Sequence, residues 1–249
     1  MLLVIDIGNT HTVLGVYTQT TLLRHFRIQS DRRKTADEYA VLLANLIVEP
    51  LAVKQSVVAS VVPPLTDAIC DAVATAFDVQ ARRIESTQDL GMPVLYSPRH
   101  EIGADRLVNA IAAYAQTKQR SIVVDFGTAT TFDCISAKGE YVGGVIAPGL
   151  GISAEALFTH AAKLPPVEIR TPPQAIGDST THAMQSGIVF GYVGLVEGLV
   201  RRLRQELGEP CRVIATGGFA QEIAAHTRMV DQVNEHLTLS GLRLLATRL

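Results

Sequence analysis

Two short segments place an aspartate, a glycine and a group of hydroxyl or amide side chains within a few residues of each other: Asp6-Ile7-Gly8-Asn9-Thr10-His11-Thr12-Val13 and Asp125-Phe126-Gly127-Thr128-Ala129-Thr130-Thr131. In the first, Gly8 lacks a Cβ, so the backbone can turn tightly and come close to a ligand. Successive N–H groups in such a turn, with Asn9, Thr10 and Thr12 as side-chain donors, suit the oxygens of a phosphate. Asp6 cannot touch phosphate directly, because both are anionic. It needs a cation or a metal-bound water between them. One turn of this kind reads equally well as a hairpin closed by an aspartate. A second copy, with its own Asp125, Thr128, Thr130 and Thr131, favours a nucleotide cleft.

Other segments carry chemistry less specifically. Pro98-Arg99-His100-Glu101-Ile102-Gly103-Ala104-Asp105-Arg106 precedes an apolar periodic stretch. Asp105 and Arg106 fall in the first turn of that helix, where a carboxylate suits the dipole and can simply be a cap. The functional reading is a carboxylate that accepts a hydroxyl proton, with Arg106 and nearby donors holding an acidic substrate. Tyr96 is either a wall for that substrate or a surface aromatic. Ala215-Thr216-Gly217-Gly218 lets a flat base or ribose lie on bare backbone, or makes a plain strand-to-helix turn. It is neither a Walker loop nor a dinucleotide fingerprint. Gly143 to Gly151 either seats close packing between lobes, the favoured reading, or borders the pocket, and Gly177-Asp178-Ser179-Thr180 reads as a helix N-terminus able to cap itself or receive an anion. The seven histidines show no paired metal spacing.

The elements that must position these residues alternate between strands and helices. Leu3 to Ile7 and Val123 to Phe126 read as short buried strands, each followed by its glycine turn and a second strand. The two aspartates lie 119 residues apart in a chain of 249, which suggests one unit used twice. Thr35-Ala36-Asp37-Glu38 is a capping-box pattern before a helical repeat of Tyr39, Leu42, Leu43, Leu46 and Ile47. Val57 to Val62 is a β-branched strand stopped by Pro63-Pro64. Ile69, Val73 and Phe77 mark a helix, as do Leu107, Ile111 and Ala115. A longer one runs through Ile188, Tyr192, Leu195, Leu199 and Leu203 to Gly208 and Pro210. Arg212 to Thr216 is a strand. The expected fold is α/β, with a boundary near residue 118 between lobes 1–118 and 119–249.

Composition narrows the class. Hydrophobic residues make up 47% and charged residues 18%, which excludes a disordered chain. A net charge of −2 argues against a protein that binds nucleic acid by phosphate neutralisation. No apolar run of membrane-span length is expected, and the N-terminus lacks a basic leader region. Cys70, Cys134 and Cys211 are odd in number and far apart, which suits a reducing cytoplasm.

Together these segments resemble the type III pantothenate kinases, relatives of the acetate kinase, sugar kinase, Hsp70 and actin superfamily. The resemblance runs over nearly the whole chain, without departure at a motif position. Gly103-Ala104-Asp105-Arg106 ahead of the second aspartate turn is its most specific part. It implies two duplicated actin-like (ribonuclease H-like) lobes with an interlobe nucleotide cleft. It also implies ATP-dependent phosphorylation of the primary hydroxyl of pantothenate, the entry step of coenzyme A biosynthesis. By the same resemblance Asp6, Ile7, Gly8, Asn9, Thr10, His11, Thr12 and Val13 form the first phosphate loop. Thr128 belongs to the second loop, and Gly217 and Gly218 lie at the adenosine. Tyr96, Gly103, Ala104, Asp105, Arg106 and Thr180 match pantothenate-binding positions, and Asp105 matches the proton acceptor. Asp125 matches the ligand of a monovalent cation, K⁺ or NH₄⁺; Asp6 faces the metal side of the triphosphate, with Mg²⁺ carried on ATP. A cytoplasmic homodimer, with no nucleic-acid or membrane partner, is the implied state. Another kinase or phosphatase of the superfamily, or a regulatory nucleotide-binding module, is the alternative.

Overall fold

A computed structural model describes residues 1–48 and 52–248. Their contacts divide the chain into two compact units. The first comprises residues 1–92, 96–112 and 236–249, and the second residues 93–95 and 113–235.

The first unit is built on β1 (Leu2–Ile7), β2 (His11–Thr18), β3 (Thr21–Gln29), β4 (Gln55–Ser60) and β5 (Ala81–Ile84), in sheet order β3-β2-β1-β4-β5. β1 runs antiparallel to β2 and parallel to β4, and β2 and β3 form an antiparallel pair. One face of this sheet, through Leu3, Ile5, Ile7, Leu14 and Val58, buries against α1 (Ala36–Leu46) and α2 (Pro63–Phe77). The capping box at α1 is present, with the Thr35 side chain accepting from the Glu38 N–H and the Glu38 carboxylate accepting from the Thr35 N–H. Pro63-Pro64 does more than stop a strand: it opens α2, where a missing N–H costs nothing.

The other face of the sheet is covered by α7 (Leu237–Ala246), which packs on β1, β4 and β2. A Cβ at Gly15 on β2 would stand 3.1 Å from Leu239 Cδ1, so the helix lies tightly against the strand there. This explains why residues 236–249 join the first unit, whereas the sequence boundary near 118 assigns them to the second. α3 (Ala104–Thr117) runs across the division, with its first nine residues in the first unit.

The second unit repeats the plan. β6 (Ser121–Phe126), β7 (Ala129–Ile135), β8 (Tyr141–Pro148), β9 (Arg212–Gly217) and β10 (Gln232–Val233) stand in the order β8-β7-β6-β9-β10. Again three antiparallel strands lead into parallel pairs. The duplication read from two aspartate turns thus extends to the whole sheet. Ile122, Val124, Phe126, Phe132 and Val213 face a core closed by α4 (Leu150–His160), α5 (Thr180–Leu207) and α6 (Ala220–Ala224). The segment from Gly143 to Gly151, read as close packing, forms most of β8 and the start of α4.

α5 corrects one expectation. An 18-residue window in it reaches a mean hydropathy of 1.4, so by length and composition it could cross a membrane. Within the fold its apolar side, through Met184, Ile188, Tyr192, Val196 and Val200, belongs to the core of the second unit. It ends at Gly208, where φ is 89°.

Candidate active site

In the first unit the site grows from the carboxyl ends of two parallel strands, the usual place for a ligand in an α/β sheet. β1 ends at Ile7 and its neighbour β4 at Ser60, in register. The Gly8 N–H donates to the His11 carbonyl at 3.0 Å, closing the turn between β1 and β2. Asn9, Thr10 and His11 are exposed on it, whereas Ile7 and Thr12 are buried. The Thr12 hydroxyl shares a hydrogen bond with Ser30 Oγ at 2.9 Å, so this hydroxyl serves the turn's own structure. Ser30 also donates to the Gly8 carbonyl at 2.7 Å, and its N–H donates to the Thr10 carbonyl at 3.0 Å. Arg32 donates to Asn9 Oδ1. Partial burial, then the nearby Arg27, lowers the His11 pKa and favours its neutral form.

Sequence reading did not find Ser30 and Arg32. They follow β3, a strand whose alternation is masked by exposed Arg24, His25 and Arg27. The pair Ser30-Asp31 just after that strand was the only available signal. Asp31 itself is occupied elsewhere: its carboxylate accepts from Arg33, and its carbonyl accepts from the Tyr39 hydroxyl.

Gly103 and Asp105 reach the same end of this sheet. The Val61 N–H, one residue beyond β4, donates to the Ile7 carbonyl at 3.1 Å, and Val61 Cγ1 lies 3.5 Å from where a Gly103 Cβ would stand. Asp105 lies in the first turn of α3, and its Oδ1 accepts from the Arg106 N–H at 2.8 Å. Burial pushes the Asp105 carboxyl pKa up, against the smaller opposing effects of the Arg106 N–H and guanidinium. Ala104 and Arg106 are themselves buried. Tyr96 is half-buried in a bend that leads into the short 3₁₀ turn Arg99–Glu101, with Arg99 tied to the carbonyls of Ser86 and Gln88.

In the second unit the corresponding strand ends bring Asp125, Gly127-Thr128 and Gly217-Gly218 together. Phe126 pairs with Gly217 in register, and the Gly218 N–H donates to the Phe126 carbonyl at 3.1 Å. Gly217 has φ of 91°, and an added Cβ would sit 2.6 Å from Asp125 Oδ1. The Asp125 carboxyl therefore rests against bare glycine backbone. Gly127 and Thr128 are exposed, and the Gly127 N–H donates to the Ala129 carbonyl at 3.1 Å. Gly149 supports this turn, because a Cβ there would overlap the carbonyls of Gly127 and Thr128. Thr130 is turned inward, with its hydroxyl 3.4 Å from that of Tyr192.

Asp133 was also missed. It is fully buried on β7, and accepts from the Tyr141 hydroxyl at 2.7 Å and from Thr131 at 3.3 Å. Thr131 is the register partner of Asp125, so the two aspartates lie along one face of the sheet. The signal was present in Phe132-Asp133-Cys134, a carboxylate inside an otherwise apolar strand. Thr180, the first residue of α5, is exposed behind the cap Ser179, which accepts from the His182 N–H.

The donor set is oxygen-rich. No group of three or more His, Cys, Asp or Glu side chains able to hold a metal occurs among the described residues. Asp125, flanked in register by Thr131 and Thr216, offers oxygen donors of the kind a hard cation takes.

The family model described as type III pantothenate kinase matches residues 2–202. A type III pantothenate kinase of Myxococcus xanthus is 49% identical over 252 aligned residues, covering 100% of this chain and 98% of that protein. Among solved structures, the ethanolamine utilization protein EutJ from Carboxydothermus hydrogenoformans aligns at TM-score 0.58 and 18% identity, covering 98% of this chain and 88% of that one. The inorganic polyphosphate/ATP-glucomannokinase from Arthrobacter sp. strain KM aligns at 0.52 and 16%, covering 99% and 97%. These structures share the two-lobed actin-like fold. By the family match and by identity along its whole length, the chain belongs to the type III pantothenate kinases.

Proposed function

We infer that this protein transfers the terminal phosphoryl group of ATP to the primary hydroxyl of pantothenate, giving 4′-phosphopantothenate and ADP, the first step of coenzyme A biosynthesis. The observation that carries the site assignment is Asp105. Its carboxyl is held at a helix start, beside the carboxyl ends of β1 and β4, with a pKa raised by burial. A raised pKa makes it a better base than an ordinary aspartate. As the hydroxyl oxygen bonds to the terminal phosphorus and the bond to the ADP oxygen breaks, the hydroxyl proton passes to Asp105.

Phosphoryl transfer has a loose transition state, so the protein mainly positions reactants and balances charge. The exposed backbone of residues 8–11 and of Gly127-Thr128 would receive phosphate oxygens, and Gly217-Gly218 the adenosine. Asp6 would face the Mg²⁺ carried by ATP. Asp125 would hold K⁺ or NH₄⁺, which supplies positive charge to the phosphates when bound. Tyr96, Gly103 to Arg106 and Thr180 would hold pantothenate.

A cytoplasmic homodimer is part of this reading. Exposed Val142 and Ile146 on β8, with Ile152 and Leu157 on α4, offer apolar surface for a second copy. The net charge of −2 and the inward apolar side of α5 support a protein without nucleic-acid or membrane partners. The test is ADP release in a coupled assay with pantothenate, with a panel of sugars and with no acceptor. Release driven by a sugar, or equal release without acceptor, would replace the reading with a sugar kinase or an ATPase.

A further inference from the structure

The space a side chain would occupy at Gly103 is already filled. A Cβ built there would overlap Asp105 Oδ1, at a distance real Cβ atoms do not show. Nothing else stands in its way, since the next neighbour outside that carboxyl is Val61 Cγ1 at 3.5 Å, an ordinary contact. The φ of Gly103 lies outside the left-handed region, so the backbone does not demand glycine either. What demands it is the carboxyl two residues on.

The same oxygen is held from the other side by the Arg106 N–H at 2.8 Å. Oδ1 thus has a hollow behind it and a donor in front. Oδ2 receives no hydrogen bond from another residue among those described. The two oxygens of one carboxylate are therefore distinguished by the protein: one anchored, one available.

We propose that Gly103 is a positioning residue that sets the orientation of Asp105, seating Oδ1 in the hollow so that Oδ2 is the oxygen that takes the proton from the acceptor hydroxyl. The proposal rests on the reading of Asp105 as proton acceptor. A methyl at position 103 displaces a flexible side chain, not backbone, so the fold tolerates it while the carboxyl rotates away. A shift of about 1 Å in a reacting group can cost up to about 100-fold. Substrate contacts made by the backbone of residues 103–106 stay in place, so the loss falls on turnover.

The experiment is a double-mutant cycle on the full-length enzyme with Gly103→Ala, Asp105→Asn and the pair, each followed by thermal melting, kcat, and KM for ATP and pantothenate. Gly103→Ala is expected to melt within about 4 °C of the parent, the scale of a small stability change. Its kcat should fall at least about tenfold, with both KM values within about threefold. In the Asp105→Asn background the same methyl should cost less than about twofold, because residues that act through one another are non-additive. The acidic limb of the kcat–pH profile should also move to lower pH in Gly103→Ala, as the displaced carboxyl leaves its desolvated seat. Unchanged kcat in Gly103→Ala overturns the proposal while leaving Asp105 as base. So does an equal loss in both backgrounds, or a variant that does not fold. Near-normal turnover in Asp105→Asn removes the underlying reading instead.

Discussion

Arg32 Nη2 donates to Asn9 Oδ1 across 2.9 Å, joining the segment after β3 to the tip of the first glycine turn. The guanidinium makes no ion pair among the described residues, since Asp31 beside it is engaged by Arg33. Its charge is thus held next to the turn without a carboxylate to cancel it. Arg32→Ala is expected to raise KM for ATP by about tenfold to a hundredfold, the scale of one lost hydrogen bond to a charged group. KM for pantothenate should barely change. Initial-rate kinetics with each substrate varied checks this, and an effect confined to pantothenate would refute it.

Ser30 is the second brace. Its hydroxyl bridges the Gly8 carbonyl and the Thr12 hydroxyl, the latter on a fully buried residue. Removing it leaves a buried hydroxyl short of a partner, at a cost of about 1–3 kcal/mol. Ser30→Ala should lower the unfolding free energy by that amount in urea titrations and weaken ATP binding. Ser30→Thr, which keeps the oxygen, should restore most of the ATP affinity.

Asp105 sets function against stability. Burial raises its pKa, so between the unfolded and folded values the native state holds the proton more tightly than the unfolded chain. Stability from this group therefore falls as pH rises through that window, and the cost is fully present above the folded pKa. Asp105→Asn should accordingly melt higher than the parent near neutral pH, with the gain shrinking in acid where both carry a neutral group. The same variant should lose at least about 100-fold in kcat/KM. Melting curves at neutral and acidic pH, with steady-state rates, test both halves.

Position 217 combines two constraints. Its φ of 91° disfavours any side chain, and a Cβ would meet Asp125 Oδ1 and the Phe126 carbonyl, both at 2.6 Å. Gly217→Ala should destabilise by about 1–3 kcal/mol, the range for strained backbone. It should also raise the K⁺ concentration needed for half-maximal activity, because the Asp125 carboxyl is pushed aside. A K⁺ titration unchanged from the parent would separate Asp125 from the cation role.

The three cysteines are all buried thiols outside any disulfide, and burial pushes the Cys211 thiol up to about 11. The thiolate is the reactive form, so almost none is present at physiological pH. A thiol-specific chromogenic reagent should titrate no cysteine rapidly in the native protein and all three after denaturation. Rapid modification of one thiol would show a mobile core around it.

What the sequence showed of the fold was whatever local chemistry encodes. The capping box at Thr35, the four-residue repeats of α2 and α5, and the two aspartate turns are each contained within a few residues. β8 was read as packing because Gly143-Gly144 interrupts its alternation, and β3 was hidden because its exposed face carries arginines and a histidine. Neither strand could be found without its partner: β8 is defined by pairing with β7, and β3 by pairing with β2. The same limit applied to the site. Gly8, Asp105 and Gly217 stood out by type, whereas Ser30, Gly149 and Asp133 act on residues far along the chain or within a strand, and only packing reveals them.

The place of α7 has a consequence for biosynthesis. The helix that covers β1, β2 and β4 lies far downstream of them in the chain, so the sheet translated first has to wait for residues 237–246 before this face is shielded. A message truncated shortly before codon 236 would release a polypeptide carrying both aspartate turns and both sheets, yet with an apolar sheet face open to chaperones and proteases.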